Sequence, residues 1–130
     1  MGRFSKLDFD ADAARPASRK ESEDAWPTMD EAGCMRAGDE AFDAGLYEAA
    51  LTAYSRALRF NKSLPAAWLG QVRCLICLGE CPEAITWSDR ALEKFFNSPD
   101  LLACKGLALV LSGQAAKGME FLDGAVALRS

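Results

Sequence analysis

The stretch GLYEAALTAYSRAL, residues 45–58, is answered by GECPEAITWSDRAL at 79–92 and GQAAKGMEFLDGAV at 113–126. The opening glycines, Gly45, Gly79 and Gly113, stand 34 residues apart. Five residues after each comes a small residue: Ala50, Ala84 and Gly118. Twelve after come Ala57, Ala91 and Ala125, and thirteen after come Leu58, Leu92 and Val126. Coincidence at so many positions is remote, and a repeat of this period marks a stacked array.

Each glycine is flanked by apolar-periodic segments rich in Ala and Leu, with apolar residues three and four apart. That is the pattern of paired amphipathic helices. The glycine falls between them, where a helix end takes a left-handed residue. The unit therefore reads as helix, tight turn, helix, and its small residues let the two helices approach closely. Thr28 with Glu31 has the spacing of a capping box. Pro65, Pro82 and Pro99 suit a first helical turn, with Asn97 and Ser98 as cap candidates before Pro99. The spacing predicts helices near 29–44, 47–61, 65–78, 82–96, 99–112 and 115–129.

The chain has 130 residues, half of them hydrophobic, and a net charge of -4. That balance opposes nucleic-acid binding, which favours a basic stripe. No block of like charge signals a membrane surface, and no run is apolar enough to span a bilayer. The first residues lack the apolar core of a signal peptide, and Lys6 breaks a myristoylation pattern. A cytoplasmic setting is expected, in keeping with five cysteines, an odd number.

The 34-residue unit resembles the tetratricopeptide repeat. The first unit, 31–64, has Gly38, Phe42, Gly45, Tyr47, Ala50, Tyr54 and Ala57 in register with that pattern. The second, 65–98, has Trp68, Leu75, Gly79, Ala84 and Ala91, and the third, 99–130, has Leu102, Gly106, Leu109, Gly113, Leu122 and Ala125. Departures are Val72 for the first-helix glycine, Ser88 for the second-helix aromatic, and Gly118 for alanine. Lys62 and Phe96 stand where a closing proline is usual. The resemblance implies an all-α, right-handed superhelical solenoid of three helix-turn-helix repeats over 29–130. The composition of 1–28, rich in Asp, Ser, Ala, Pro and charge, reads as a flexible or groove-covering segment before it. It also implies a protein-binding module whose first helices line a concave groove.

By that register the groove is lined by Ala32, Met35, Asp39, Phe42 and Asp43, then Ala66, Leu69, Arg73, Ile76 and Cys77, then Asp100, Ala103, Leu107, Val110 and Leu111. Members that grip acidic chaperone tails carry Lys, Asn and Arg where this chain has Met35, Asp39, Gly70, Asp100 and Cys104. Carboxylates there would repel such a tail, which excludes that reading. An apolar or mildly basic peptide or helix of another protein fits better. The competing expectation is that Leu69, Ile76, Val110 and Leu111 are covered by the protein itself, with Phe4, Leu7, Phe9 and Trp26 of the N-terminal segment as cover. Met119, Leu122 and Val126 on the last helix are expected to stay partly open unless a second copy or further repeats cover them.

Chemistry is sparse. There is no histidine, which removes the commonest general base, and no phosphate-cradling loop. No cofactor or metal is expected. Trp87, Phe95 and Phe96 read as helix–helix core, with outer-face contacts as the alternative. CLICLGEC supplies Cys74, Cys77 and Cys81. Their spacing raises a thiol-redox or zinc reading, with Cys34 and Cys104 as the remaining thiols. Against it, Cys74 and Cys77 fall inside a predicted helix, and a free cysteine is a good small core residue. A small dimeric secretion-type chaperone is a further alternative, on size alone.

Overall fold

The computed structural model describes residues 29–129, and all the regular structure there is helical. The helices are α1 (Glu31–Asp43), α2 (Tyr47–Phe60), α3 (Pro65–Cys77), α4 (Cys81–Lys94), α5 (Pro99–Leu111) and α6 (Ala115–Arg129). The segment expected at 1–28, including its proposed covering role, lies outside the described residues. Six helices in three helix-turn-helix pairs form the expected all-α solenoid.

The glycines do what their spacing predicts. Gly45, Gly79 and Gly113 have φ of +80°, +81° and +95°, the left-handed region where a side chain would be strained. At each, two backbone bonds close the preceding helix in the Schellman pattern. Gly45 N–H donates to Phe42 O at 3.0 Å and Leu46 N–H to Ala41 O at 2.8 Å. The same two bonds recur at Gly79 and Glu80, and at Gly113 and Gln114. Each first helix therefore ends one residue earlier than the periodicity suggests.

Helix starts are partly as expected. Pro65 and Pro99 open α3 and α5, and Ser98 Oγ accepts from Leu101 N–H at 3.2 Å. The cap of α1 is Asp30, whose Oδ1 accepts from Gly33 N–H at 2.8 Å, and not the expected Thr28, which is outside the described residues. Cys81, rather than Pro82, is the first residue of α4. That helix stops at Lys94, short of the expected 96, because Phe95 leaves helical geometry at φ -126°. Phe96 is consequently 72% exposed, where a core position was expected, while Trp87 is buried and Phe95 half-buried.

The core runs through all three pairs. Ala50, Ala57, Ala84 and Ala91 are fully buried at the helix crossings. Trp68 packs near Trp87, with ring centroids 6.2 Å apart, and its Nε1–H donates to Lys62 O at 2.8 Å. This ties the α2–α3 turn to the second pair. Consecutive helices pack against one another along the chain, and α1 also touches α3, as α3 touches α5. The second helices α2, α4 and α6 have no comparable mutual contact among the described residues. The stack therefore bends with its first helices on the inside.

Candidate functional site

That inner surface is where the repeat register places the groove. Met35, Phe42, Leu69, Ile76, Ala103 and Val110 are half-buried, and Asp39, Asp43, Arg73, Cys77, Asp100, Leu107 and Leu111 are exposed. None of these side chains is fully buried, although short apolar helices usually commit such residues to the core. Leu107 and Leu111 are 43% and 59% exposed, so α5 presents apolar surface on the inside of the bend.

Two of the sequence-nominated residues are brought directly together. The Arg73 guanidinium lies 4.7 Å from the Phe42 ring centroid, joining α3 to α1. Such a contact contributes about 0.5–1 kcal/mol when exposed. Tyr47 meets Phe42 in an edge arrangement, with centroids 5.2 Å apart. Phe42 is thus a positioned platform with a cation over its face.

The acids differ from one another. Asp39 Oδ1 accepts from Tyr54 Oη–H at 2.6 Å, so it is held by the core of the first pair. Burial, followed by this bond to a carboxylate, pushes the Tyr54 phenol far above its ordinary value. Asp100, at the start of α5, is ion-paired with Arg129 at the end of α6. Asp43 is exposed at the last residue of α1. Among these residues the exposed acids Asp39 and Asp43 lie on α1, Arg73 on α3 and the exposed apolar Leu107 and Leu111 on α5.

The thiols have mostly structural surroundings. Cys34, Cys74 and Cys81 are buried, Cys104 is half-buried and Cys77 is exposed. Burial pushes Cys74 up to about 12 and Cys104 up to about 11, and it also raises Cys34 and Cys81. The positive charge of Arg73 works against this at Cys104. Raised values suppress the thiolate that metal binding and thiol exchange require. Among the described residues no three His, Cys, Asp or Glu side chains converge on a point that could hold a metal. In a thiol-reagent titration of the native protein near pH 8, Cys77 is expected to react quickly, Cys104 slowly, and Cys34, Cys74 and Cys81 only on unfolding. Cys77→Ser should remove the fast phase. Two or more fast thiols would revive the redox reading.

Sequence reasoning missed what Gly70 does. A Cβ there would lie 2.6 Å from the Tyr54 ring, and a Cβ at Gly38 would lie 2.7 Å from its opposite edge. The two glycines clasp Tyr54 from α3 and α1. Their spacing from a large aromatic was the available signal. Lys105 was also missed: its Nζ lies 2.5 Å from Asp89 on α4 and 4.3 Å from the Phe121 ring centroid on α6.

The fold is that of a helical-repeat protein, and its three 34-residue pairs fit a tetratricopeptide-type repeat. No family model and no curated protein matches the chain. Among solved structures, the crystal structure of MamA protein is similar in fold, at 18% identity and a TM-score of 0.68. The match covers 76% of this chain and 54% of that one, so the chain spans about half the length of its structural neighbour. No helix among the described residues is long and apolar enough to cross a membrane.

Proposed function

We propose that the protein is a non-enzymatic interaction module of the tetratricopeptide type that holds a peptide or helix of another protein on its inner face. The observation that carries this reading is the Phe42–Arg73 platform, set among side chains from three successive first helices that remain open to solvent. Leu69, Ile76, Leu107 and Val110 supply contact area, while Asp39, Asp43 and Arg73 set register and polarity. A segment with apolar side chains toward α5 and a basic group toward α1 is the complementary ligand.

The double variant Phe42→Ala/Arg73→Glu removes the platform and reverses its charge without touching a fully buried side chain. Its helical spectrum should match the wild type. Affinity capture from an extract of the native cell is then expected to retain a partner on the wild type and lose it on the variant. Capture of the same proteins by both, or by neither, would show the groove to be covered or idle.

A further inference from the structure

The 34-residue register runs across the stack as well as along it. The ninth position of each unit holds Asp39 on α1, Arg73 on α3 and Leu107 on α5. All three are exposed, while Gly38, Val72, Cys74, Gly106 and Ala108 beside them are buried. α3 touches α1 on one side and α5 on the other. Equivalent residues on touching helices form a row, and this row runs acid, base, apolar across the inner face.

The two charges are positioned without neutralising each other. Tyr54 Oη–H donates to Asp39 Oδ1 at 2.6 Å, which orients that carboxylate from the core. The Arg73 guanidinium is seated over the Phe42 ring, 4.7 Å from its centroid, a contact that pairs none of its N–H donors with a carboxylate. Among the described residues neither Asp39 nor Arg73 joins an ion pair. Each therefore keeps charge-assisted hydrogen-bonding capacity for a ligand.

The spacing of the row selects a backbone. Packed helices lie about 8–10 Å apart, axis to axis. A chain in the polyproline-II conformation has three residues per turn and returns a side chain to one face about every 9 Å. A β-strand does so about every 7 Å and drifts out of step by the third helix. An α-helix comes into step only at about every seventh residue, so it must order roughly twice as much chain to reach the same three positions.

We propose that the groove binds an extended, polyproline-II segment of another protein that carries a lysine or arginine, an acidic residue and an apolar residue at every third position, set against Asp39, Arg73 and Leu107. This rests on the reading of the inner face as a binding surface, and it adds the acid, the order and the spacing. Charge complementarity selects the occupant. A uniformly acidic segment would meet Asp39 and Asp43, and a uniformly basic one would meet Arg73. Alternating charge is what the row accepts, and the mismatches supply specificity.

The test uses the full chain and labelled peptides held in polyproline II by proline. The probe is Pro-Pro-Lys-Pro-Pro-Glu-Pro-Pro-Leu-Pro-Pro, and the control exchanges its Lys and Glu. The probe is expected to bind with a micromolar to sub-millimolar Kd. The control should bind at least about fivefold more weakly, because it sets like charge against both Asp39 and Arg73. Arg73→Glu should weaken the probe about threefold or more. A probe with Lys in place of its Glu should recover binding on that variant, closing a charge-reversal cycle. Absence of probe binding up to about 1 mM would overturn the proposal, whether the groove is idle or covered by the chain itself. So would equal binding of probe and control, or probe binding unchanged by Arg73→Glu. Self-association of the full chain that the probe disrupts would overturn it by assigning the groove to a second copy. A helical peptide with the same three side chains about seven residues apart separates this proposal from the groove reading. Its binding to wild type but not to Phe42→Ala/Arg73→Glu, with the probe inert, would keep the groove and reject the extended ligand.

Discussion

Tyr54→Ala is expected to lower the unfolding free energy by about 3–5 kcal/mol, the range for truncating a large buried aromatic. Three features hold the loss at the upper part of that range. The ring is 4% exposed and lies at the meeting of α1, α2 and α3. Its two edges rest on Gly38 and Gly70, which have no side chains to move into the cavity. Its hydroxyl also donates to Asp39 at 2.6 Å, so truncation loses a hydrogen bond to a carboxylate. Tyr54→Phe keeps the ring and should lose only that bond, about 1.5 kcal/mol. Urea denaturation of the three proteins measures the series. A loss below about 1 kcal/mol for Tyr54→Ala would show that the ring does not fill this junction.

The same ring explains two departures from the repeat pattern. In the register, Gly38, Tyr54 and Gly70 correspond to Val72, Ser88 and Cys104 at the next junction. One junction places a large ring between two glycines; the other places a serine between a valine and a cysteine. Ser88 is fully buried, and its Oγ–H turns back to donate to Ala84 O at 2.7 Å. Read singly, Val72 and Ser88 look like lost consensus residues. Together they exchange volume across a helix junction, the kind of compensated swap that cores tolerate.

The helix pairs were legible because they depend on local rules. A left-handed turn needs glycine at Gly45, Gly79 and Gly113, and a close crossing needs small residues such as Ala50 and Ala84. Both requirements recur at a fixed period, so the period exposed them. Register also nominates an inner face on α1, α3 and α5, where Phe42 and Arg73 do come together. What register cannot give is pairing between units. The seating of Arg73 on Phe42, the bond from Tyr54 to Asp39, and the tie from Asp100 to Arg129 depend on how far one pair is rotated on the next. Phe96 was misread for a local reason: Phe95 already leaves helical geometry and carries its neighbour out of the helix.

Two glycine-to-alanine changes on α6 should have opposite signs. By helix propensity alone each would stabilise the helix by about 0.8–1.0 kcal/mol. At Gly124 a Cβ meets nothing within 4 Å, so Gly124→Ala should realise that gain. At Gly118 a Cβ would lie 2.5 Å from Gly106 O, 2.6 Å from Val110 Cγ2 and 2.9 Å from Val110 N. Two of those atoms are backbone and cannot rotate away. The contact is reciprocal, because a Cβ on Gly106 would lie 2.7 Å from Gly118 O. α5 and α6 must therefore move apart to admit one methyl group. Overpacking of this kind costs about 1–3 kcal/mol or more, which outweighs the propensity gain. Since each pair of a stacked array is stabilised mainly by its neighbours, the damage should be local. Amide exchange should quicken in α5 and α6 of Gly118→Ala while α1 and α2 keep their protection. Stabilisation by Gly118→Ala equal to that by Gly124→Ala would mean that α5 and α6 do not cross at Gly106 and Gly118.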